Sequence, residues 1–400
     1  MATLASVPAH VPPSLVFDFD YFEAPKLSDT PQTAIARMLH GPAPDIFWTP
    51  RNGGHWVVTR HEDALEIWRS HDRFSSDPAY NYEKRMYPRF TPLQYDPPEH
   101  TVLRRVINPF FTPGAVERMS ARVRALAVEL IEAVLPKGEC EFVEEIAERY
   151  PVTIFLQMAD APLSDRDWML EQVHTYFRNP SLEARGKARS TLGAYLVKLL
   201  EEREKKPGQD LLSLIANASL PDRALTADEK LGMAAVSFFA GLDTVVAMLS
   251  FIMNFLGKNP AHYARLVRQP ALIGDVLEEL IRASAVTINE RGASHDFEFR
   301  GINFRTADRI VILTAILGSD ARHMENPEKV DFERPISTNL AFGAGPHRCI
   351  GSHLARYEMR CFLEEWVARV PAFTSGDAVT AGGTVWMPRK LPLKWGKAGA

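Results

Sequence analysis

Apolar residues recur three and four positions apart along most of this chain. The spacing predicts helices over 62–70, 98–111, 113–135, 165–177, 182–206, 210–218, 226–257 and 272–284. Short alternating stretches at 53–60, 296–304 and 384–395 predict strands of a minor sheet, and 73–95, rich in Pro, Tyr and Arg, predicts an irregular loop. The longest helix begins at Thr226-Ala-Asp-Glu229, which has the spacing of a capping box. Leu231 to Gly257 is nearly free of charge and long enough to span a bilayer. Asp243 at its centre would be costly in lipid, and a helix apolar all round is equally expected at the heart of a large soluble protein. We read it as a central buried helix. With no linker, repeat or low-complexity run, the pattern describes a mainly α chain with a small β region, a single large domain over 1–400.

Composition adds limits. At 400 residues and 46% hydrophobic content the chain can bury a large core, and a net charge of −4 from 46 basic and 50 acidic residues points to no nucleic-acid partner. Three widely spaced cysteines suit a reducing compartment, and Met1 to Phe17 carries no basic-then-apolar leader, so the expected location is the cytoplasm, without a membrane anchor.

The densest chemical signal is Phe342-Gly-Ala-Gly-Pro-His-Arg-Cys-Ile-Gly351, a glycine-rich loop ending in one cysteine at the start of a predicted helix over 350–370. Backbone N–H groups and the helix dipole are expected to lower the pKa of Cys349 and hold it anionic. Gly343, Gly345 and Gly351 leave room for something flat to lie against the backbone. A thiolate facing a broad planar ligand describes a haem held by an axial cysteine. Two other readings compete. A lone cysteine is commonly a small buried hydrophobe, the reading we give Cys140 and Cys361. A zinc site can be drawn from His347, Cys349 and His353, but structural zinc usually takes four ligands from paired clusters, and no second cluster exists.

On the long helix, Ala240-Gly-Leu-Asp-Thr244 places a glycine in a helix interior and a threonine able to turn its hydroxyl onto the carbonyl of Ala240. A notch for a small molecule beside an acid–hydroxyl pair, Asp243 and Thr244, suits proton delivery; taken alone, a kinked helix with a satisfied core aspartate explains it as well. Glu279 and Arg282, three apart, can pair on one helix face.

The loop Phe-Gly-x-Gly-x-His-x-Cys-x-Gly, the Ala-Gly-x-Asp-Thr segment and the Glu-x-x-Arg pair resemble those of the cytochrome P-450 monooxygenases. Val11-Pro-Pro-Ser-Leu-Val-Phe-Asp-Phe-Asp20, Asn52-Gly-Gly-His-Trp56, Phe74-Ser-Ser76 and Gly241-Leu-Asp-Thr-Val-Val246 resemble the bacterial camphor-hydroxylating branch, and the likeness runs from Val11 to Trp395. The resemblance implies haem b ligated by Cys349, with Phe342 and Gly343 in its loop. It further implies propionate contacts from His100, Arg104, Arg291 and His347, oxygen activation at Asp243 and Thr244, and a buried structural role for Glu279 and Arg282. Asn289 departs from the family's aspartate.

The implied reaction is hydroxylation of an unactivated C–H bond with O2 and two electrons. No flavin or nicotinamide segment is visible, so the implied electron donor is a [2Fe-2S] ferredoxin with an NADH-dependent reductase. Arg104, Arg105, Arg348 and Arg356 are candidates for its docking patch; an ordinary solvated basic surface is the competing reading. The implied pocket is small and apolar, lined by Val236, Phe239, Ala240, Thr244, Val286, Thr287, Val385 and Trp386, with Tyr87 and Phe90 from the loop. Camphor-type relatives hydrogen-bond a substrate ketone through a loop tyrosine where this chain has Pro88 after Tyr87. A norisoprenoid ketone of the ionone kind therefore fits better than camphor among small apolar terpenoids. A peroxide-driven hydroxylase, a haem-thiolate isomerase and a non-catalytic haem-thiolate sensor are the other readings. The first two would be expected to lack Asp243 or Thr244, and the sensor to carry an output module.

Overall fold

The central helix starts where its sequence places it. Thr226 accepts from the Glu229 N–H at 3.2 Å, the Glu229 carboxylate accepts from the Thr226 N–H at 2.8 Å, and Arg223 grips the same carboxylate at 2.6 and 2.7 Å. The helix then runs unbroken over Ala227–Lys258. It is long and apolar enough to cross a membrane, but 61% of its most apolar window is buried within the protein. The surrounding helices supply that apolar environment: Arg149–Met158 and Leu182–Lys205 pack on it, and Ser352–Arg369 packs along Pro113–Val134 and touches it.

This computed structural model describes residues 4–80, 89–178, 181–335 and 339–396. The expected helices occur with their ends within about two residues for most, as Pro113–Val134, Arg166–Arg178, Leu182–Lys205 and Leu272–Ala283, whereas the one expected over 98–111 ends at Ile107 and passes into a 3-10 turn, Asn108–Phe110. Others went unread. Arg149–Met158 is only ten residues long, is buried over nearly its whole circumference and carries Pro151 near its start. Pro31–Leu39 and Pro260–Arg268 are short, nine residues each. The main sheet also went largely unread. Its strand order is Ile46–Thr49, His55–Val58, Arg309–Ile312, Asn289–Ala293, Phe74–Ser75. His55–Val58 pairs in parallel with Arg309–Ile312, the other neighbours antiparallel. This sheet carries Asn289 and Arg291 to the edge of the cavity that Cys349 lines.

Glu279 and Arg282 are almost fully buried, as the resemblance implied. Their two hydrogen bonds are 2.7 and 2.8 Å long, and Arg334 adds a third contact to Glu279 at 3.2 Å. Arg282 also donates to the carbonyls of Gly318, Pro327 and Lys329, which makes the pair a knot tying helix Leu272–Ala283 to the segment before the cysteine loop.

Candidate active site

The cysteine loop is built by local turns. Asn339 caps a short 3-10 turn by accepting from Ala341 N–H, and Cys349 N–H donates back to the carbonyl of Phe342 at 2.9 Å. Gly343 and Gly345 sit at φ +67° and +68°, where side chains are strained. The reasons for these two glycines differ. Space around Gly343 is open, whereas a Cβ on Gly345 would lie 2.2 Å from the carbonyl oxygen of Trp68. Gly345 thus fastens the loop to helix His61–Arg69 and leaves no room there for a flat ligand, which corrects part of the sequence reading. Arg104 adds a second fastening, donating to the carbonyls of Pro346 (3.0 Å) and Arg348. Arg356 lies 4.3 Å over the Phe342 ring and pairs with Glu278.

Cys349 faces a mainly apolar cavity of about 310 Å³. Its surface opens onto this hollow, while protein surrounds the sulfur on its other sides. Burial pushes the free thiol up, against the Gly351 N–H and the charges of Arg104, Arg348 and Arg356, which pull it down. The expected lowering by loop and helix is therefore present but outweighed. A coordinating metal would remove the proton outright.

At one end of the cavity stand His100, Arg104, Arg291, His347 and Asn289. The imidazoles of His100 and His347 lie 4.1 Å apart. Nδ1 of His100 and both ring nitrogens of His347 are buried with no hydrogen-bond partner among the described residues. Burial, reinforced by nearby Arg104 and Arg291, pushes the pKa of His100 down to about 4 and that of His347 to about 2, so both stay neutral at pH 7. Arg291 is buried too; its pKa falls only to about 10, so it keeps its charge. Asn289 accepts from the Thr314 hydroxyl at 3.1 Å. Orphaned donors beside a buried guanidinium at one end of a cavity, with a thiol in its wall, fit a planar macrocycle carrying carboxylates.

Another stretch of wall comes from the central helix. Val236, Ala240 and Thr244 recur every four residues, and Met248, which the sequence reading missed, continues the stripe. Thr244 Oγ1 donates to the carbonyl of Ala240 at 2.9 Å, the bond its spacing predicts, and the space over Gly241 is open. Thr287 also lines the cavity. Several expected lining residues do not. Asp243 sits about 100° round the helix from Thr244, off the wall. Phe239 turns toward Phe90, Tyr176 and Phe238, at centroid distances of 6.1, 5.2 and 5.0 Å, and neither it nor Phe90 reaches the cavity. Val385 pairs with Thr287 through its backbone, Val286 is fully buried off the wall, and Trp386 is fully buried in a separate cluster with Phe19, Tyr21 and Ile316. Tyr87 and Pro88 lie outside the described residues. The unread helix Arg149–Met158 contributes Ile154, Phe155 and Met158 to the wall.

Among the described residues no three His, Cys, Asp or Glu side chains gather as a metal site. Cys140 and Cys361 are buried in the core, where burial raises both thiols. Glu358, on the cysteine-bearing side of the cavity, is buried with Oε2 unpartnered among the described residues, and burial pushes its pKa up to about 8. The folded state thus holds a proton that the unfolded chain releases near 4.5. Stability present below that pH is lost as pH rises through about 8. Glu358→Gln is expected to flatten this loss, measured as the difference in urea midpoint between pH 5 and pH 9; parallel pH dependence of parent and variant would contradict it.

Comparison with known proteins agrees with this geometry. The cytochrome P450 family model matches residues 271–369. The probable cytochrome P450 127A1 of Sinorhizobium fredii is 32% identical, covering 97% of this chain and 97% of its own length. Cytochrome P450-terp of a Pseudomonas species is 27% identical over 86% of this chain and 88% of its own. The crystal structure of CYP101J2 superposes with a TM-score of 0.88 at 32% identity, covering 98% of this chain and 100% of that one.

Proposed function

This chain belongs to the cytochrome P450 family, a haem-thiolate monooxygenase by that membership, and we propose that it hydroxylates a small apolar terpenoid ketone, drawing two electrons from a [2Fe-2S] ferredoxin. The whole chain serves as one haem domain in the cytoplasm. The observation that carries the reading is a cavity that joins Cys349, a cluster of unpartnered donors and the Ala240–Thr244 wall in one space. Haem bound through Cys349 supplies the reductive activation of dioxygen, one atom of which enters a C–H bond while the other leaves as water. His100, Arg291 and His347 would hold its propionates, while Arg104, expected among them, lines the cavity but gives its guanidinium to the loop carbonyls of Pro346 and Arg348.

The protein's own residues do the rest. Apolar side chains from the central helix and from Arg149–Met158 hold the substrate and exclude bulk water. The Thr244 hydroxyl, which at rest donates to the Ala240 carbonyl, turns to present its proton to that space, and Asp243, next to it in the chain, restores the proton. Thr244→Ala is expected to divert most electrons into peroxide, and Asp243→Asn to slow turnover by about 10²-fold. Product and peroxide formed per NADH are the readouts; parental coupling and rate would remove both roles.

Support for ferredoxin docking comes from Arg105 and Arg348, exposed near the cysteine loop. Arg104 and Arg356, expected to share in the patch, are committed to the loop and to Glu278. Ferredoxin-driven reduction is expected to weaken steeply with salt, and Arg348→Glu to weaken it further. A rate independent of ionic strength would rule this patch out.

For the substrate class, the deciding experiment is optical titration of the haem-loaded protein with camphor-, cineole- and ionone-type terpenoids. A low-spin to high-spin shift with the ionone class is expected; no shift with any of them would end the terpenoid assignment.

A further inference from the structure

The chain segment that carries Arg291 and Asn289 runs on along the cavity wall to Thr287. Successive side chains on extended backbone point to opposite faces. Thr287, Asn289 and Arg291 line the cavity, whereas Val286, Ile288 and Glu290 do not. Ile288 is buried in the cluster that holds Trp386, and Glu290 pairs with Arg309. At a rise of about 3.3 Å per residue, Thr287 stands roughly 13 Å along the segment from Arg291. Its backbone is pinned from two sides. Ile288 N–H donates to the Thr384 carbonyl and Trp386 N–H to the Val286 carbonyl, both at 2.9 Å, while Ala315 N–H donates to the Thr287 carbonyl at 3.0 Å. Among the described residues, the hydroxyl-bearing side chains on the wall are Ser237, Thr244 and Thr287. Ser237 gives its hydrogen to the Met233 carbonyl at 2.8 Å, and Thr244 gives its own to Ala240 at 2.9 Å. Thr287 is half-buried, and its side chain makes no hydrogen bond among the described residues.

We propose that the Thr287 hydroxyl is the donor that holds the carbonyl oxygen of the substrate, and that this bond sets which carbon is oxidised. The proposal rests on the terpenoid-ketone reading above. A ketone oxygen accepts hydrogen bonds and donates none, so it needs a hydrogen that is not already spent, and a hydroxyl has only one to give. Ser237 would have to break its bond to Met233 first, exchanging one hydrogen bond for another with little net gain. Thr244 holds its hydrogen on Ala240 at rest and, in the function proposed above, turns it to oxygen activation. Asn289 and Arg291 stand at the end of the cavity assigned to carboxylates. Thr287 alone among these hydroxyls forms its bond without giving one up. In a mainly apolar cavity a few placed polar groups fix a ligand's orientation. A single bond from a pinned backbone then turns a ligand that could tumble into one that presents a constant edge to the reacting centre.

The competing account makes Thr287 a piece of wall, with its methyl against the ligand and its hydroxyl left to water. A matched pair of ligands separates the two: an ionone-type ketone, and the hydrocarbon of the same skeleton with a methylene in place of the carbonyl. Both are titrated into the haem-loaded protein, and dissociation constants are read from the spin-state shift. Thr287→Val keeps the shape and removes the hydroxyl. It is expected to weaken the ketone about fivefold and leave the hydrocarbon unchanged, while Thr287→Ser keeps ketone affinity near parental. Hydrocarbon binding doubles as the check that the variant folds, and Thr287→Ala, read by the same comparison, serves if Thr287→Val does not retain haem. Product from the ketone is expected at one carbon in the parent and over several in Thr287→Val. Equal weakening of both ligands, or parental ketone affinity in Thr287→Val, overturns the anchor and leaves the ketone reading standing. No shift with any terpenoid ketone in the parent overturns the anchor and that reading together.

Discussion

Cys349→Ser is expected to abolish hydroxylation and, in the reduced protein, the red-shifted carbonyl band that a thiolate ligand produces. The serine hydroxyl is smaller, far less acidic and a poorer donor to iron. No other described thiol can replace it, because Cys140 and Cys361 sit in the core away from the cavity. The loop itself should survive, since the Phe342, Gly345 and Arg104 contacts all run through backbone atoms of the loop. Circular dichroism near the parental spectrum together with a lost carbonyl band is the expected signature. A parental band in the variant would remove Cys349 as the ligand.

The largest expected effect on stability comes from Glu279→Ala. Its carboxylate answers Arg282, which is 3% exposed, and Arg334, and it also accepts from the Asp331 N–H at 2.8 Å. Removing it leaves a buried guanidinium uncompensated, which costs about 3–5 kcal/mol. Glu328→Ala provides the contrast. Its pair with Arg37 is exposed and solvent-screened, so a far smaller loss is expected. Urea unfolding of the two variants, with haem retention recorded alongside, checks the ratio. Equal effects would show that burial does not set the strength of these pairs.

Much of this architecture was legible in the sequence, for specific reasons. The start of the central helix was readable from four residues because the capping box leaves only one good alignment. Cys349 and its neighbours were readable because the loop packs its chemistry into ten consecutive positions. Thr244 was placed correctly by spacing alone, as its bond to Ala240 shows. The misses have equally physical causes. Trp386 and Val385 are placed on the cavity only by the resemblance, which does not fix which face of their strand meets the cavity, and a one-residue change exchanges the two faces. Phe239 is placed there by the same resemblance, yet it adjoins Ala240, and adjacent residues on a helix point about 100° apart. Ile154, Phe155 and Met158 were missed with their helix, a ten-residue stretch with Pro151 near its start.

The fastening of the cysteine loop has a consequence for how the protein is made. Arg104 reaches across 242 residues to the carbonyl of Pro346, and Trp68 lies still further upstream of Gly345. Synthesis runs from the N-terminus, and early segments fold first. Neither anchor meets its target until roughly seven-eighths of the polypeptide has left the ribosome. A nascent or truncated chain therefore has nowhere to seat its prosthetic group, and capture of that group reports that translation has reached the far side of Cys349.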